Sequence, residues 1–406
     1  MNSTRMKALV GLIGLVLCTG VKAQTEGVNA IFAHEPDTEG FEPGVAVNKG
    51  NIGDFEKFLP EGLKILVEQF GLEISTVPYE PVLPSKGYAE KTERNRGKSK
   101  AIETKDIRTK GIEGYEGGLP FVDPQTGLEV MWNQFFAYQG DDGFIEFDVF
   151  VASQGLGVER HETWRWEFVQ KGMYRTDLPA VPEFEKRGIV YASKATCLRP
   201  YEKAHTVALQ YRYDKPRDQV GYIYVPFLMR PIKAVVGAVG VPWNQTDMLF
   251  EDIKGYSLYP EWTKWKLLGK RTILVPMHPK VRRPEDAVDL ESPPGFKPRL
   301  AFEPRQVYVV EGKSKFFTSQ YGKVILYVDA ETFYIPLKEA FDKGGKLWKV
   351  FLNVWDASQG SPPPFVLALA VDIQKRASTL FVVKNYGFNV GYGFHDFDVT
   401  RVNQGD

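Results

Sequence analysis

Hydrophobic and polar positions alternate along much of the chain from Leu128 onward. In Phe144–Val151, Ile145, Phe147, Val149 and Val151 fall on one side and Glu146 and Asp148 on the other. That period of two predicts strands with one buried face. The segments "LEVMWNQFFAYQ", "FIEFDVFVAS", "VERHETWRWEFV", "HTVALQYRYD" and "QVGYIYVPFL" are short and rich in aromatic and β-branched residues. Turn residues such as Gly140-Asp141-Asp142-Gly143 and Asp214-Lys215-Pro216 punctuate them, so each is expected to be a strand. "WKLLGKRTILVP" and "RQVYVVEGK" continue the pattern on either side of a Pro-rich link, 281–304.

The stretch from Tyr321 to Trp355 predicts three more strands, at 323–329, 333–341 and 346–355. In the second, Phe333, Ile335, Leu337 and Phe341 share a face, and Pro336 marks a bulge or an edge. In the third, Trp348, Val350, Leu352 and Val354 share one. Asp329 and Glu331 fall at the first turn and are expected to be solvated, with no catalytic part. "PFVLALAVDIQKRASTLFVVKN" reads as two strands or as a short helix and a strand.

Helix signals are fewer. Asp54 is positioned to cap "FEKFLPEGLKILVEQFG", which Pro60 splits into two short helices ending at Gly71. Residues 77–118 are rich in Pro, Gly and charge and read mainly as loop or covering segment. "TDMLFEDI", at 246–253, predicts a short helix opening on a Thr or Asp cap. No regularly spaced helices separate the strands, so an antiparallel meander of mainly β (α+β) class is expected.

The N-terminus changes where such a sheet would work. Arg5 and Lys7 precede the apolar run "ALVGLIGLVLCTG", and "VKA" puts small residues before Gln24. This predicts a signal peptide at 1–23 and an exported chain, with 24–406 forming one large domain. Within it, 24–118 is an N-terminal extension of helices and loops, and 119–406 the β-meander. Leu17 before Cys18 argues against a lipid anchor. The whole chain balances 51 basic against 51 acidic residues. Loss of Arg5, Lys7 and Lys22 leaves 48 against 51, a net charge of −3. That charge disfavours nucleic acid as a partner. Cys18 leaves with the signal, so Cys197 has no internal disulfide partner and is expected to be a small buried side chain.

Catalytic and cofactor patterns are missing from the sequence. There is no G-x-S-x-G, no H-E-x-x-H and no Gly-rich phosphate loop. The five histidines, His34, His161, His205, His278 and His395, have no metal-ligand spacing. Neither a metal nor a cofactor is expected. The chain holds 8 Trp, 19 Tyr and 27 Phe, enough to fill a core or to line an apolar cavity in a curled sheet.

Four segments together resemble a bacterial exported family known as domain of unknown function family 1329. They are "GGLPFVDPQTGLEVMWNQ", "RPIKAVVGAVGVPWNQTDMLFE", "WTKWKLLGKRTILVP" and the stretch from Tyr321. Where the family often has a His, this chain has Gln134 and Ser319, and its "YVDAET" turn is less acidic. These departures weaken any shared metal or catalytic centre. The family resembles enlarged relatives of the LolA/LolB carriers. That implies an antiparallel half-barrel with a lid of short helices on an apolar concave side. It also implies a periplasmic shuttle for a lipid or other hydrophobic ligand. Implied partners are a resistance-nodulation-division-type inner-membrane transporter and an outer-membrane protein. The inward candidates on strands are Trp132, Phe147, Val149, Trp164, Trp166, Leu209, Tyr211, Leu326 and Trp355. The alternative is a non-enzymatic assembly or interaction protein that carries no small ligand.

Overall fold

A computed structural model describes residues 31–153, 157–216, 220–234, 239–281, 284–289 and 297–402. The signal-peptide expectation at 1–23 lies outside the described residues. Among them, no helix is long and apolar enough to cross a membrane.

The architecture is mainly β. Among the described residues, fifteen strands form one sheet. In chain order they are β1 (Ala46–Val47), β2 (Ile74–Thr76), β3 (Asp142–Ser153), β4 (Gly157–Val169) and β5 (Ile189–Arg199). Then come β6 (Val207–Tyr213), β7 (Val220–Tyr224), β8 (Pro231–Ala234), β9 (Thr263–Val275) and β10 (Ala301–Ser314). The last are β11 (Lys323–Asp329), β12 (Leu337–Phe341), β13 (Leu347–Trp355), β14 (Phe365–Asp372) and β15 (Ala377–Phe388). The spatial order is β1-β2-β10-β11-β12-β13-β14-β15-β3-β4-β5-β6-β7-β8, with β9 on β10. Neighbours are antiparallel except β2 with β10. β15 pairs with β3, which joins a C-terminal meander to an N-terminal one. The ends do not meet, so the sheet is an open half-barrel.

Both open edges are protected against pairing with another chain. Along β9, Lys264, Lys266, Leu268 and Lys270 are exposed, and the register shifts between Leu267 and Gly269. At the other edge, the short β8 carries Pro231 and Lys233. Edge lysines, bulges and prolines each frustrate strand addition.

The central strands are buried on both faces, unlike the one-faced β3. On β11, Val324, Leu326 and Val328 join the core of the concave side. Ile325 and Tyr327 join a second core behind the sheet. Helix α1 (Glu61–Phe70) covers that second face with Leu63, Leu66 and Val67. Each such apolar side chain contributes about 1.5–3 kcal/mol on burial. Pro60 stands at the N-cap of α1, and Gly71 closes it in the left-handed region at φ 69°, as the sequence predicts. The preceding turn is a 3₁₀ helix over Ile52–Phe58 in which Asp54 is internal rather than the cap.

Several sequence expectations change. "LEVMWNQF" is helical: α3 (Gly127–Phe135) opens on a capping box between Thr126 and Glu129. Its buried set, Leu128, Val130, Met131, Trp132, Asn133 and Gln134, nearly surrounds the helix. An all-round buried helix carries no clean period to distinguish it from a strand. Within 77–118, Ser85 caps a helix, α2 (Lys86–Asn95). The predicted helix at 246–253 is a 3₁₀ segment, Phe250–Gly255, kinked at Ile253 and Lys254. The C-terminal segment is two strands, β14 and β15.

The stretch from Tyr321 departs most. Strand β12 begins only after Pro336. Phe333 sits at φ 57°, and Phe333 and Ile335 join the concave core while Leu337 and Phe341 join the other. Ala340 pairs with Lys349 and Phe341 with Leu347, so Trp348 is the extra residue of a bulge. It packs with the concave core, away from Val350, Leu352 and Val354. A bulge reverses the alternation on which a one-face reading depends.

Candidate ligand-binding site

Asp329 and Glu331 are not solvated; they are 0% and 5% exposed. Arg305, 1% exposed, holds both. Its Nε lies 2.8 Å from Asp329 Oδ2, its Nη2 2.6 Å from Glu331 Oε2, and its Nη1 3.0 Å from Glu303 Oε1. Glu303 in turn meets His278 at 2.8 Å. Glu331 also accepts from the backbone of His34 and Val82 and from the Tyr79 hydroxyl. The cluster thus ties the N-terminal extension to the start of β10 and the end of β11. The guanidinium, with hydrogen bonds from Thr332, holds Asp329 below its ordinary pKa despite burial. Burial and the neighbouring Asp329 charge raise Glu331. This is a structural knot.

The concave side of the half-barrel holds a different feature. A cavity of about 80 Å³ lies between strands β3–β6, the end of α3 and the 3₁₀ segment. Apolar walls come from Phe135, Ile145, Trp166, Phe168, Val190 and Phe250. Polar groups come from Gln134, Gln139, Gln210, Arg212, Lys254, Tyr256 and Ser257.

The roof is the 3₁₀ segment, and its first half is fixed to the sheet. Lys338 of β12 reaches Asp252 Oδ1 at 2.5 Å, and Tyr321 donates to Oδ2 at 2.7 Å. Lys349 donates to the Asp247 carbonyl at 2.5 Å. Burial beside Asp252 pushes Glu251 up to about 7. After this anchor the chain kinks. Lys254 (φ 53°) and Gly255 (φ 89°) are both in the left-handed region. A Cβ on Gly255 would stand 2.5 Å from Ile335 Cβ, so both conformation and space require glycine there. The kink turns Lys254 over the cavity. Its Nζ donates to Gln139 Oε1 at 2.5 Å and stands 5.2 Å from the Phe168 ring centroid. Burial pushes it down to about 7.

Helix α3 forms the adjoining wall. Gly127 lets its first turn rest on β9: a Cβ there would meet the Lys266 and Leu267 backbone at 3.0 Å. Gln134 donates to the Tyr256 carbonyl at 3.1 Å, joining the helix to the roof.

The sequence-predicted residues distribute unevenly around this site. Trp166 lines the cavity. Phe147 packs beside it at 6.5 Å between ring centroids. Val149, Trp164, Leu326 and Trp355 belong to the same concave core without lining the cavity. Trp132 is in that core too, but on helix α3 rather than on a strand. Leu209 and Tyr211 face the opposite side, packed with Phe184 and Phe397. On β6 the cavity receives Gln210 and Arg212 instead. Reading apolar positions as inward fails there because the C-terminal segment covers the outer face. The alternation of β6 itself was the available signal: polar Gln210 and Arg212 share a face.

Cys197 is fully buried, bonds to the Arg199 carbonyl and is pushed up to about 11 by burial, which leaves it a poor nucleophile. Among the described residues, no group of three or more His, Cys, Asp or Glu is placed to hold a metal ion.

Comparison with known proteins agrees with this architecture. A curated relative, the uncharacterized Pseudomonas aeruginosa protein PA3922, is 24% identical over 274 residues. That match covers 64% of this chain and 57% of the relative, so the chain spans little over half of the relative's length. A solved domain from Vibrio parahaemolyticus, named as a candidate outer membrane lipoprotein-sorting protein domain, superposes with a TM-score of 0.50 at 14% identity. It covers 68% of this chain and 98% of its own. A DUF1329 family protein from Desulfovibrio piger gives 0.48 at 14% identity, with 68% and 97% coverage. A LolA superfamily protein from Nitrosomonas europaea gives 0.42 at 13%, with 68% and 98%. The open half-barrel of this chain thus shares its fold with the Vibrio parahaemolyticus domain. The family model for proteins of unknown function DUF1329 matches residues 46–397, and this chain belongs to that family.

Proposed function

We propose that this protein is a non-enzymatic carrier that holds a lipid or other hydrophobic ligand under the roof of its half-barrel. The observation that supports this is the cavity between β3–β6 and the kinked 3₁₀ roof, where aromatic and aliphatic walls meet a polar set. Its volume of about 80 Å³ is roughly half that of a void of about 150 Å³ that admits benzene. A chain-like ligand does not fit in that volume. Loading a chain-like ligand requires the roof to move, and the ligand's apolar area then leaves water at about 25 cal/mol per Å². The anchor at Asp252–Lys338 and the left-handed pair Lys254-Gly255 give that movement a fixed end and a hinge.

The finer reading is a periplasmic shuttle between an inner-membrane transporter and an outer-membrane partner. The N-terminal pattern at 1–23 and the family's resemblance to LolA/LolB carriers support it. Native mass spectrometry and lipid extraction of the protein purified from its own periplasm test the carrier role. A stoichiometric hydrophobic ligand is expected. A protein that is consistently empty, and that takes up no amphiphile added in vitro, overturns it.

A further inference from the structure

The cavity walls contain two cations and no carboxylate. Arg212 is 9% exposed, and its Nε has no hydrogen-bond partner. The guanidinium stacks on Tyr191 at 4.9 Å. Only tyrosines, Tyr191, Tyr259 and Tyr256, offset the burial that lowers its pKa. Lys254 has one acceptor, Gln139 Oε1, for three N–H donors. No charged group offsets its burial. Arg305 is paired with three carboxylates, Lys338 with Asp252 and Arg175 with Asp142; Lys171, also buried, has no hydrogen-bond partner for its Nζ but does not line the cavity. An unpaired buried cation is costly unless an anion arrives to meet it.

We infer that Arg212 and Lys254 bind the acidic headgroup of an amphiphile whose apolar chain occupies the cavity. This rests on the carrier reading and names the ligand's chemistry. Arg212 belongs to the sheet and Lys254 to the roof. An oxyanion touching both bridges the two and draws the roof onto its ligand. Charge-assisted hydrogen bonds in a low-dielectric cavity are strong and specific. A neutral amphiphile of the same chain length gains none of this. The recognised group is an oxyanion, found as a fatty carboxylate or as a phosphate monoester of a single-chain lipid.

Titration of delipidated protein with two matched pairs, followed by tryptophan fluorescence, tests the inference. One pair is palmitate and hexadecanol; the other is palmitoyl lysophosphatidate and monopalmitoylglycerol. At least one acid is expected to bind about ten-fold tighter than its neutral partner, or better. Which acid does so identifies the source of the oxyanion. Arg212→Met and Lys254→Met are each expected to shrink that ratio, and the double variant to bring it near one. Both variants remove a charge that has no counter-ion, so their thermal midpoints should not fall below the wild type. Equal binding of acids and alcohols, or a preference that survives in the double variant, overturns the inference and leaves the carrier role standing. Binding of no probe overturns the carrier role and the inference together.

Discussion

At the residue scale the decisive groups are charged side chains taken out of water. Arg305 compensates three carboxylates, and one of them, Glu331, holds the N-terminal extension. Removing one partner from such a cluster leaves charge uncompensated in the interior. Arg305→Met is therefore expected to destabilise the protein by about 3–5 kcal/mol, read as a lower urea midpoint. Replacing Asp329 and Glu331 by Asn and Gln should also destabilise it, by about 2–4 kcal/mol. A stability equal to wild type would show that the cluster is not the tie described here.

Glu251 acts in the opposite direction. Burial raises its carboxyl to about 7, above the ordinary value of about 4.3 in an unfolded chain. The folded state then binds the extra proton between those values. Stability from this group is complete below about pH 4 and is lost as pH rises through about 7. The groups facing Glu251 are Asp252, Lys338, Lys349 and the Gly240 N–H. The stability of Glu251→Gln relative to wild type is expected to increase from pH 5 to pH 8, by an amount on the order of 1–3 kcal/mol. Paired urea titrations at the two pH values measure it. A flat difference would mean that Glu251 is ionised throughout.

At the scale of elements, α3 and the roof depend on two glycines and one cap. Thr126 accepts from the Glu129 backbone, and Glu129 reaches back to the Thr126 N–H. Thr126→Ala should cost about 1 kcal/mol. Gly127→Val should cost more, because its methyls would meet the β9 backbone rather than a movable side chain. A small effect at Gly127 would show that the helix can slide. For the roof, Lys338→Met removes the ion pair to Asp252 and leaves that carboxylate buried beside Glu251. Faster hydrogen exchange at residues 249–255, with β11 and β13 unchanged, is the expected result. Uniformly faster exchange would instead mean that the whole fold had loosened.

The sequence made much of this scale legible. Alternation located β3, β4, β6 and β9, and the Pro60 and Gly71 signals located α1. It failed at α3 because a helix buried nearly all round has no polar stripe. It failed at Trp348 because a bulge depends on the register of the partner strand, which no local window contains. The cavity was only partly legible. Trp166 was among the aromatic candidates, but Arg212 and Lys254 were not, since a lone cation in sequence reads as surface.

For the whole molecule, an open sheet of this size needs edges that resist further pairing. Lys264, Lys266 and Lys270 line the outer edge strand β9. Changing all three to Thr is expected to promote self-association, visible as a rise in molar mass by light scattering. A variant that stays the same size as wild type would show that the bulge and the short β1–β2 pair protect the edge unaided.

The sequence by itself determined the mainly β class, the family, and the low net charge that disfavours nucleic acid. The class and the charge follow from composition and short-range periodicity, and the family from the resemblance of four segments; all are properties of the chain before it folds. Tertiary structure alone decided that Asp329 and Glu331 are buried against Arg305. It also decided that Leu209 and Tyr211 face away from the cavity, and that two unpaired cations face into it. Burial and charge pairing are set by what packs against a residue from hundreds of positions away. Glu331, in the turn after β11, is covered by His34 and Tyr79 from far up the chain, and Arg212 and Lys254 share a cavity only because the roof folds back over β6.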